Sequence, residues 1–542
     1  MDATKPRVAD AIATTMHAHG VRRAFGIPGN DVLELIRACT DAGISFTLAK
    51  SEAGAAFMAD AVTHVTGQPA ACIFALGPGI ANGASGIAGA VQERSPIIVL
   101  GGEMAGNRRE IYNHQAFDHV ALMRPITKYA AELNAQRAGQ QTARALDIAM
   151  THPRGPVFLN CPADATRAAA MDGQSEFTPA PASDHIGLTA SGQASVRGRI
   201  GAMSKPLALI GMGALGLRDP STLKAFLVRW NMPFLTTYKA KGAVDDNNPL
   251  CLGAVGLSPV LDDLAMSLVR GADGLVLIGF DPIELRDAWL DAWPQHLPII
   301  AFDRAPPTHR IFPIGVSIVG NTEMLAQAMP AEGAPKRNWP AEALATHKSR
   351  VAHVVRPRTP KFRISPAALF AAVSKRVTPD MRMTVDVGAH RILANHVIQC
   401  VTPGQLLQSN GLGHMGYAIP AAIGAWLGDA KRVIAMLGDG CALMSLGELA
   451  LVAELQAPIV SIILVDDDLA LIDLKQDKMK MKRQGVGFSS PDFAMLARGF
   501  GLAASDVATL PDFESALDAA IASGKPHVIA AKVDPAEYWE QM

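Results

Sequence analysis

The amino-acid sequence predicts an α/β protein built as three doubly wound, parallel-sheet domains, and three observations carry that reading. Short runs rich in β-branched residues alternate with helically spaced apolar segments along the chain. Two stretches of Pro, Ala and polar residues divide the chain into three blocks of similar size. The length of 542 residues exceeds what one hydrophobic core organises.

Taken in order, Ala71–Leu76, Ile97–Gly101 and Val157–Asn160 read as strands of the first block. Leu207–Ile210, a run near Pro233–Thr237, Gly274–Ile278 and Ile299–Phe302 read as strands of the second, and Arg432–Leu437, Val460–Val465 and His527–Lys532 as strands of the third. The interrupting stretches, around Ala165–Asp184 and Ala331–Pro360, have linker composition and place domains at 1–168, 185–332 and 360–542. The first and third blocks share a strand followed by a Gly-rich turn.

With 49% hydrophobic residues, 18% charged residues and a formal net charge of -1, the chain shows no electrostatic footprint for nucleic acid or an anionic membrane. Small molecules are the expected partners. The N-terminal segment lacks the basic end and apolar run of a signal peptide, and no apolar stretch reads as a membrane span, so a cytoplasmic location is expected. The six cysteines contain no Cys-x-x-Cys pair and are read as reduced core residues.

The third block carries the clearest chemistry. The apolar strand starting at Val433 runs into Gly438-Asp439-Gly440-Cys441, followed by a segment, Leu443–Leu455, with helical spacing. A strand end meeting a helix start offers converging backbone N–H groups to a phosphate, and glycine permits close approach. A second apolar strand ends in Val465-Asp466-Asp467-Asp468, adding hard oxygen ligands for a divalent cation beside a diphosphate. Either piece alone is equally a capped turn or a solvated acidic loop.

This pairing resembles the cofactor motif of the thiamine diphosphate (ThDP)-dependent enzymes. The resemblance implies that Gly438, Asp439, Gly440 and Cys441 cradle the diphosphate, that Asp439 and Asp466 are side-chain ligands of Mg²⁺, and that Asp468 contributes its carbonyl. Asn410-Gly411-Leu412-Gly413-His414-Met415 is similar to the family segment under the thiazolium ring: Met415 would prop the bent cofactor and the Gly413 carbonyl would receive its aminopyrimidine N–H. Gly388, Ala389 and His390 match a family strand end that touches the diphosphate. Val465-Asp466 resembles the catabolic, FAD-independent acetolactate synthases, whereas most of the superfamily has Asn-Asn there.

The first block, with Phe25-Gly26-Ile27-Pro28-Gly29-Asn30, Lys50-Ser51-Glu52 and Leu76-Gly77-Pro78-Gly79, looks like the family's pyrimidine-binding domain. Glu52 would hydrogen-bond the remote ring nitrogen of the cofactor, making its amino group an imino base next to the reacting carbon. Ser51 stands where the family commonly has His. His114 and Gln115 match the His-Gln of the catabolic synthases and are candidates for proton transfer and substrate orientation; Asn30 is a candidate for substrate contact. Lys475 replaces a Trp of the biosynthetic synthases, and Asp31 and Glu34 follow a turn that is more basic in the catabolic ones.

In the middle block Gly211-Met212-Gly213-Ala214-Leu215-Gly216 follows a strand and matches the dinucleotide fingerprint, which makes a nicotinamide-dependent oxidoreductase the rival reading. The following strand runs into Tyr238-Lys239 rather than the acidic residue that holds a ribose. In related enzymes this domain binds FAD in some members and nothing in others; FAD is possible here and not expected. A non-catalytic protein of the same fold is a third reading. The resemblance as a whole implies ThDP- and Mg²⁺-dependent decarboxylation of a 2-oxo acid with transfer of the acyl fragment to a second carbonyl, as in acetolactate synthase. A non-ligating decarboxylase, or a carboligase or lyase for another acyl donor, is the alternative. It also implies a homodimer or homotetramer with Glu52 and Asp439 of one site on different subunits.

Overall fold

In the computed structural model, residues 6–542 are described except 110, 172–177, 179–186, 218, 291–292, 295, 308, 310, 322, 331–334 and 361–362. Parts of both sequence-assigned linkers (172–177, 179–186, 331–334) therefore lie outside the described residues. The chain forms three six-stranded sheets in which every neighbouring pair runs parallel. This is the α/β architecture the alternating pattern predicts.

Across the first sheet the order is Ser45–Leu48, Arg23–Ile27, Ala70–Phe74, Ile97–Glu103, Val157–Pro162 and Tyr129–Glu132. Across the third it is Leu406–Gln408, Met381–Val385, Arg432–Gly438, Ile459–Val465, His527–Lys532 and Ala503–Val507. The chain visits both sheets in the same spatial sequence, so the shared style of the two blocks is a shared topology. The middle sheet differs: Val316–Val319, Ile299–Asp303, Gly274–Ile278, Pro206–Ile210, Phe234–Thr237 and Cys251–Val255. In each outer sheet the strand order reverses between the second and third strands across, and the crevice at the C-terminal ends of those two strands is where such sheets bind ligands. Asp386–Gly388 and Gly438–Asp439 occupy that position in the third sheet; Pro28–Asn30 and Ala75–Gly77 occupy it in the first.

The outer sheets are joined through two helices, Glu52–Thr66 and Ala418–Asp429, whose apolar faces enter one core with Phe57, Met58, Ile419 and Ile423. Gly424 allows the close crossing, since a Cβ there would stand 2.2 Å from the Met58 carbonyl oxygen. The Tyr417 hydroxyl donates to Asp60 across the same contact at 2.7 Å, so the buried carboxylate has a partner. All six cysteines are buried and free.

Three local expectations are corrected. The second linker carries a helix, Ala341–Val354, docked on the middle domain by His347 against the Leu252 carbonyl (3.0 Å), while Trp339 just ahead donates to the Pro206 carbonyl (2.8 Å). The segment read as Leu443–Leu455 begins at Asp439 and consists of two helices, Asp439–Ser445 and Glu448–Leu455, separated at Leu446-Gly447. The run Leu469–Arg483, which the sequence suggests is one helix after the acidic turn, is helical only over Ala470–Lys478, so Met479–Arg483 lies beyond it. Among the described residues no helix is long and apolar enough to cross a membrane.

Candidate active site

At the strand-order reversal of the third sheet, two helices start side by side. Gly438 precedes the helix Asp439–Ser445, and Gly388 precedes Ala389–Val397. Between them lies a cavity lined by Gly388, Ala389, His390, Met415, Gly438, Asp439, Gly440, Cys441, Asp466 and Asp468, closed by Leu469–Ile472 and Tyr538. Of the residues expected to hold cofactor or metal, Gly413 alone is absent from this lining; it sits in the adjoining loop with φ +66°.

The electrostatics of this cavity ask for positive charge. Asp439 Oδ2 accepts from the Asp466 and Asp467 N–H groups (3.1 and 2.8 Å) and from Ser490 Oγ (2.8 Å), which holds the carboxylate at the crevice floor. Burial pushes Asp439 above the usual carboxylate range against these hydrogen bonds. Asp466 is pushed up to about 8 by burial and by the charge of Asp439 beside it. Two buried carboxylates, one of them raised further by the charge of the other, fit a divalent cation that would neutralise both.

Among the described residues no set of three or more His, Cys, Asp or Glu side chains forms a metal cage. That suits Mg²⁺, which binds through one or two carboxylates, with phosphate and other oxygens completing its shell. The Asp468 side chain is turned to Arg483 at 2.6 Å, while its other oxygen is buried without a partner among the described residues. His390 is buried, its pKa pushed down to about 3 by burial and the neighbouring Arg391, and its Nε2 has no partner among the described residues. An orphaned neutral imidazole nitrogen beside two helix starts fits a diphosphate oxygen.

The first sheet presents a second cluster at its own reversal. Ser51 caps the helix that Glu52 begins, its Oγ accepting from the Gly54 N–H at 3.0 Å. Glu52 is 7% exposed, with Oε2 3.5 Å from Asn82 Nδ2. Gln115, at φ +59°, lays its carbonyl against Gly77, where a Cβ would stand 2.6 Å away. Asn30 is exposed and its carbonyl accepts from Arg167 at 3.3 Å. His114 is exposed beside Tyr112. None of these four lines the diphosphate cavity of the same chain.

Sequence reasoning missed the group behind the Gly77 turn. The Gly77 N–H donates to His119 Nε2 at 3.2 Å, and His119 Nδ1 lies 3.1 Å from Glu103 and 3.2 Å from Asn160. Burial opposes the Glu103 charge, yet hydrogen bonds from His119, Asn160 and the Met104 N–H hold its carboxyl down at about 2. Asp31 accepts from the Leu76 N–H at 2.8 Å in the same region. Ser490, which bonds Asp439, and Tyr538, which lines the cavity, were also missed, because they come from distant parts of the chain.

The middle-domain fingerprint does not form a dinucleotide turn. Met212–Gly216 is a 3-10 turn, and the next helix begins only at Pro220. The Met212 N–H, which would face a pyrophosphate, donates instead to the buried Glu284 carboxylate at 2.9 Å.

Comparison with known proteins agrees with this geometry. Residues 386–531 match the thiamine pyrophosphate enzyme C-terminal TPP-binding domain, 6–122 the N-terminal TPP-binding domain and 194–329 the central domain. The chain belongs to the ThDP-dependent enzymes. More particularly, it is similar to the catabolic acetolactate synthase of Raoultella terrigena, at 30% identity over 97% of this chain and 95% of the relative. It is also similar to the acetolactate synthase of Bacillus subtilis (27%, covering 98% and 94%) and to the probable 2-ketoarginine decarboxylase AruI of Pseudomonas aeruginosa (26%, covering 94% and 91%). It is an enzyme of the ThDP transferase or lyase type.

Proposed function

We propose that this protein decarboxylates a 2-oxo acid with ThDP and Mg²⁺ and joins the remaining acyl fragment to a second carbonyl compound, in the manner of an acetolactate synthase. The observation that carries the reading is the cavity in which Asp439, Asp466 and the unpartnered His390 nitrogen converge, together with full-length similarity to acetolactate synthases.

Asp439 and Asp466 hold the metal, with Asp468 adding its backbone carbonyl. Gly388, Ala389, His390, Gly438, Gly440 and Cys441 receive the diphosphate, and Gly413 and Met415 support the rings. When bound, the cofactor supplies a nucleophilic carbon and an electron sink for the departing CO2. Glu52 holds a proton at the pyrimidine nitrogen, Gln115 orients the substrate, His114 exchanges protons with the reacting oxygen, and Asn30 touches the substrate. Leu469, Leu471 and Ile472 exclude water from the cavity.

Glu52 and the diphosphate cavity are separated within one chain. The reading therefore places each site between two subunits of a homodimer or homotetramer, in a cytoplasmic protein of three domains spanning 1–168, 185–332 and 360–542. Exposed Leu48, Ile111, Tyr112, Leu412, Leu443 and Met444 supply apolar surface for that contact. FAD is not expected, because Glu284 already occupies the Met212 N–H.

A decarboxylase that does not ligate is the second reading, favoured by similarity to the probable 2-ketoarginine decarboxylase. Incubation with pyruvate separates the two. Cofactor-dependent CO2 with acetolactate supports the synthase, and CO2 with acetaldehyde supports the decarboxylase. ThDP binding without CO2 release rejects pyruvate as donor.

A further inference from the structure

The loop that carries Gly413 and Met415 is fastened from outside its own domain. Glu93 follows the first-domain helix Pro78–Gln92 and is 2% exposed. Its Oε1 accepts from the Gly411 N–H at 2.8 Å and from Ser409 Oγ at 3.3 Å. Its Oε2 pairs closely with the ammonium group of Lys239, which is also 2% exposed and follows the middle-domain strand Phe234–Thr237. One carboxylate thus joins three domains at the cofactor loop.

The surroundings leave the loop little freedom. A Cβ on Gly411 would stand 2.5 Å from Gln92 Cβ, so this glycine is what lets the backbone N–H reach the carboxylate. Ser409 Oγ also accepts from the His414 N–H at 3.4 Å, and buried Arg391 donates to the Ser409 carbonyl and to Asn410 Oδ1. Lys239 Nζ lies 3.2 Å from His64, which stands 3.3 Å from Asp60, the acceptor for Tyr417. An ion pair that served only to dock domains would need no backbone N–H from this loop. Here one carboxylate oxygen goes to the lysine and the other to the loop.

We propose that Glu93 and Lys239 are positioning residues for the segment Ser409–Met415, fixing where the Gly413 carbonyl and Met415 meet the cofactor. The middle domain then acts on the reaction through Lys239 without touching substrate. This inference rests on the ThDP reading of the site.

The test compares two paired substitutions in the full-length protein. Both remove the two buried charges together, so neither leaves an orphan ion. Glu93→Gln with Lys239→Met keeps a carbonyl acceptor for the Gly411 N–H; Glu93→Leu with Lys239→Met removes it. Amide hydrogen exchange of the peptide covering 409–416 is read without cofactor, beside Tm, ThDP affinity and kcat. The Leu/Met protein should exchange this peptide about tenfold faster than wild type and lose about tenfold in kcat or ThDP affinity, while the Gln/Met protein stays within about threefold at matching Tm. Equal loop exchange in the two paired variants would overturn the proposal. If the Leu/Met protein does not fold, the wild-type peptide decides: strong protection supports anchoring, and exchange at the rate of an open chain overturns it. Because exchange is read without cofactor, a failure of wild type to bind ThDP would remove the functional reading and leave the anchoring result to be judged separately.

Discussion

Two carboxylates and one imidazole define the chemistry at the level of single residues. Burial raises Asp439, and burial with the charge of Asp439 raises Asp466, so the cost of ionising both falls once a cation lies between them. Replacing Asp466 by Ala, which removes the oxygen ligand, should leave Tm of the cofactor-free protein unchanged or higher while weakening Mg²⁺-dependent ThDP binding by about tenfold or more, read by calorimetric titration. Glu52→Gln should lower kcat by about 10²–10⁴-fold with ThDP affinity changed less than tenfold, measured by product formation and by the same titration. The sequence could single out Asp439, Asp466 and Glu52 for their proposed roles because each sits in a compact motif at a strand end or a helix start, and the structure brings Asp439 and Asp466 together. Ser490, His119, Glu103 and Asn160 were not, because their partners lie far off in sequence; Ser490 reaches Asp439 across 51 positions. No local spacing announces such a contact.

Elements explain both the successes and the misreadings. Strands buried on both faces, such as Ile459–Val465, leave long apolar runs that identify them, whereas the half-exposed Ser45–Leu48 and Ala503–Val507 carry too little apolar signal. The break at Leu446-Gly447 escaped notice because apolar spacing continues through it. The second helix opens on Glu448, whose Oε1 accepts from the Lys50 and Ser51 N–H groups (3.0 and 3.1 Å) of the first domain. Burial pushes Glu448 up to about 7 against these bonds. Between the usual carboxylate value and about 7 the folded protein keeps a proton that the unfolded chain has lost. Stability from this group is therefore full at acid pH and declines as pH rises through that window, by up to roughly 3 kcal/mol. Thermal melts at pH 5 and pH 8 should show a smaller drop in Tm for Glu448→Gln than for wild type; equal drops would remove Glu448 from the account. The Gly-rich turn at Gly211–Gly216 teaches the converse lesson, since its spacing is right and the helix start that gives the motif its meaning is missing.

The whole molecule repeats one sheet topology at its two ends, and each end places half of the proposed site at its strand-order reversal. Alternating hydrophobicity made the three sheets legible, while the proposed meeting of the two halves across subunits rests on resemblance, because no sequence pattern reports an association of chains. If Glu52 of one chain serves Asp439 of another, mixing inactive Glu52→Gln and Asp439→Asn proteins under subunit exchange should restore about a quarter of wild-type activity, because half of the dimers regain one intact site. No recovery after verified exchange would place both residues in the same chain's site. A Mg²⁺-dependent ThDP site at the third sheet can be checked by titrating ThDP into the wild-type protein by calorimetry with Mg²⁺ and with EDTA, beside Asp439→Asn. Wild-type binding should saturate, need Mg²⁺ and be lost in the variant. Wild-type protein that takes up no ThDP, or binds it equally with EDTA and in the variant, would rule that site out.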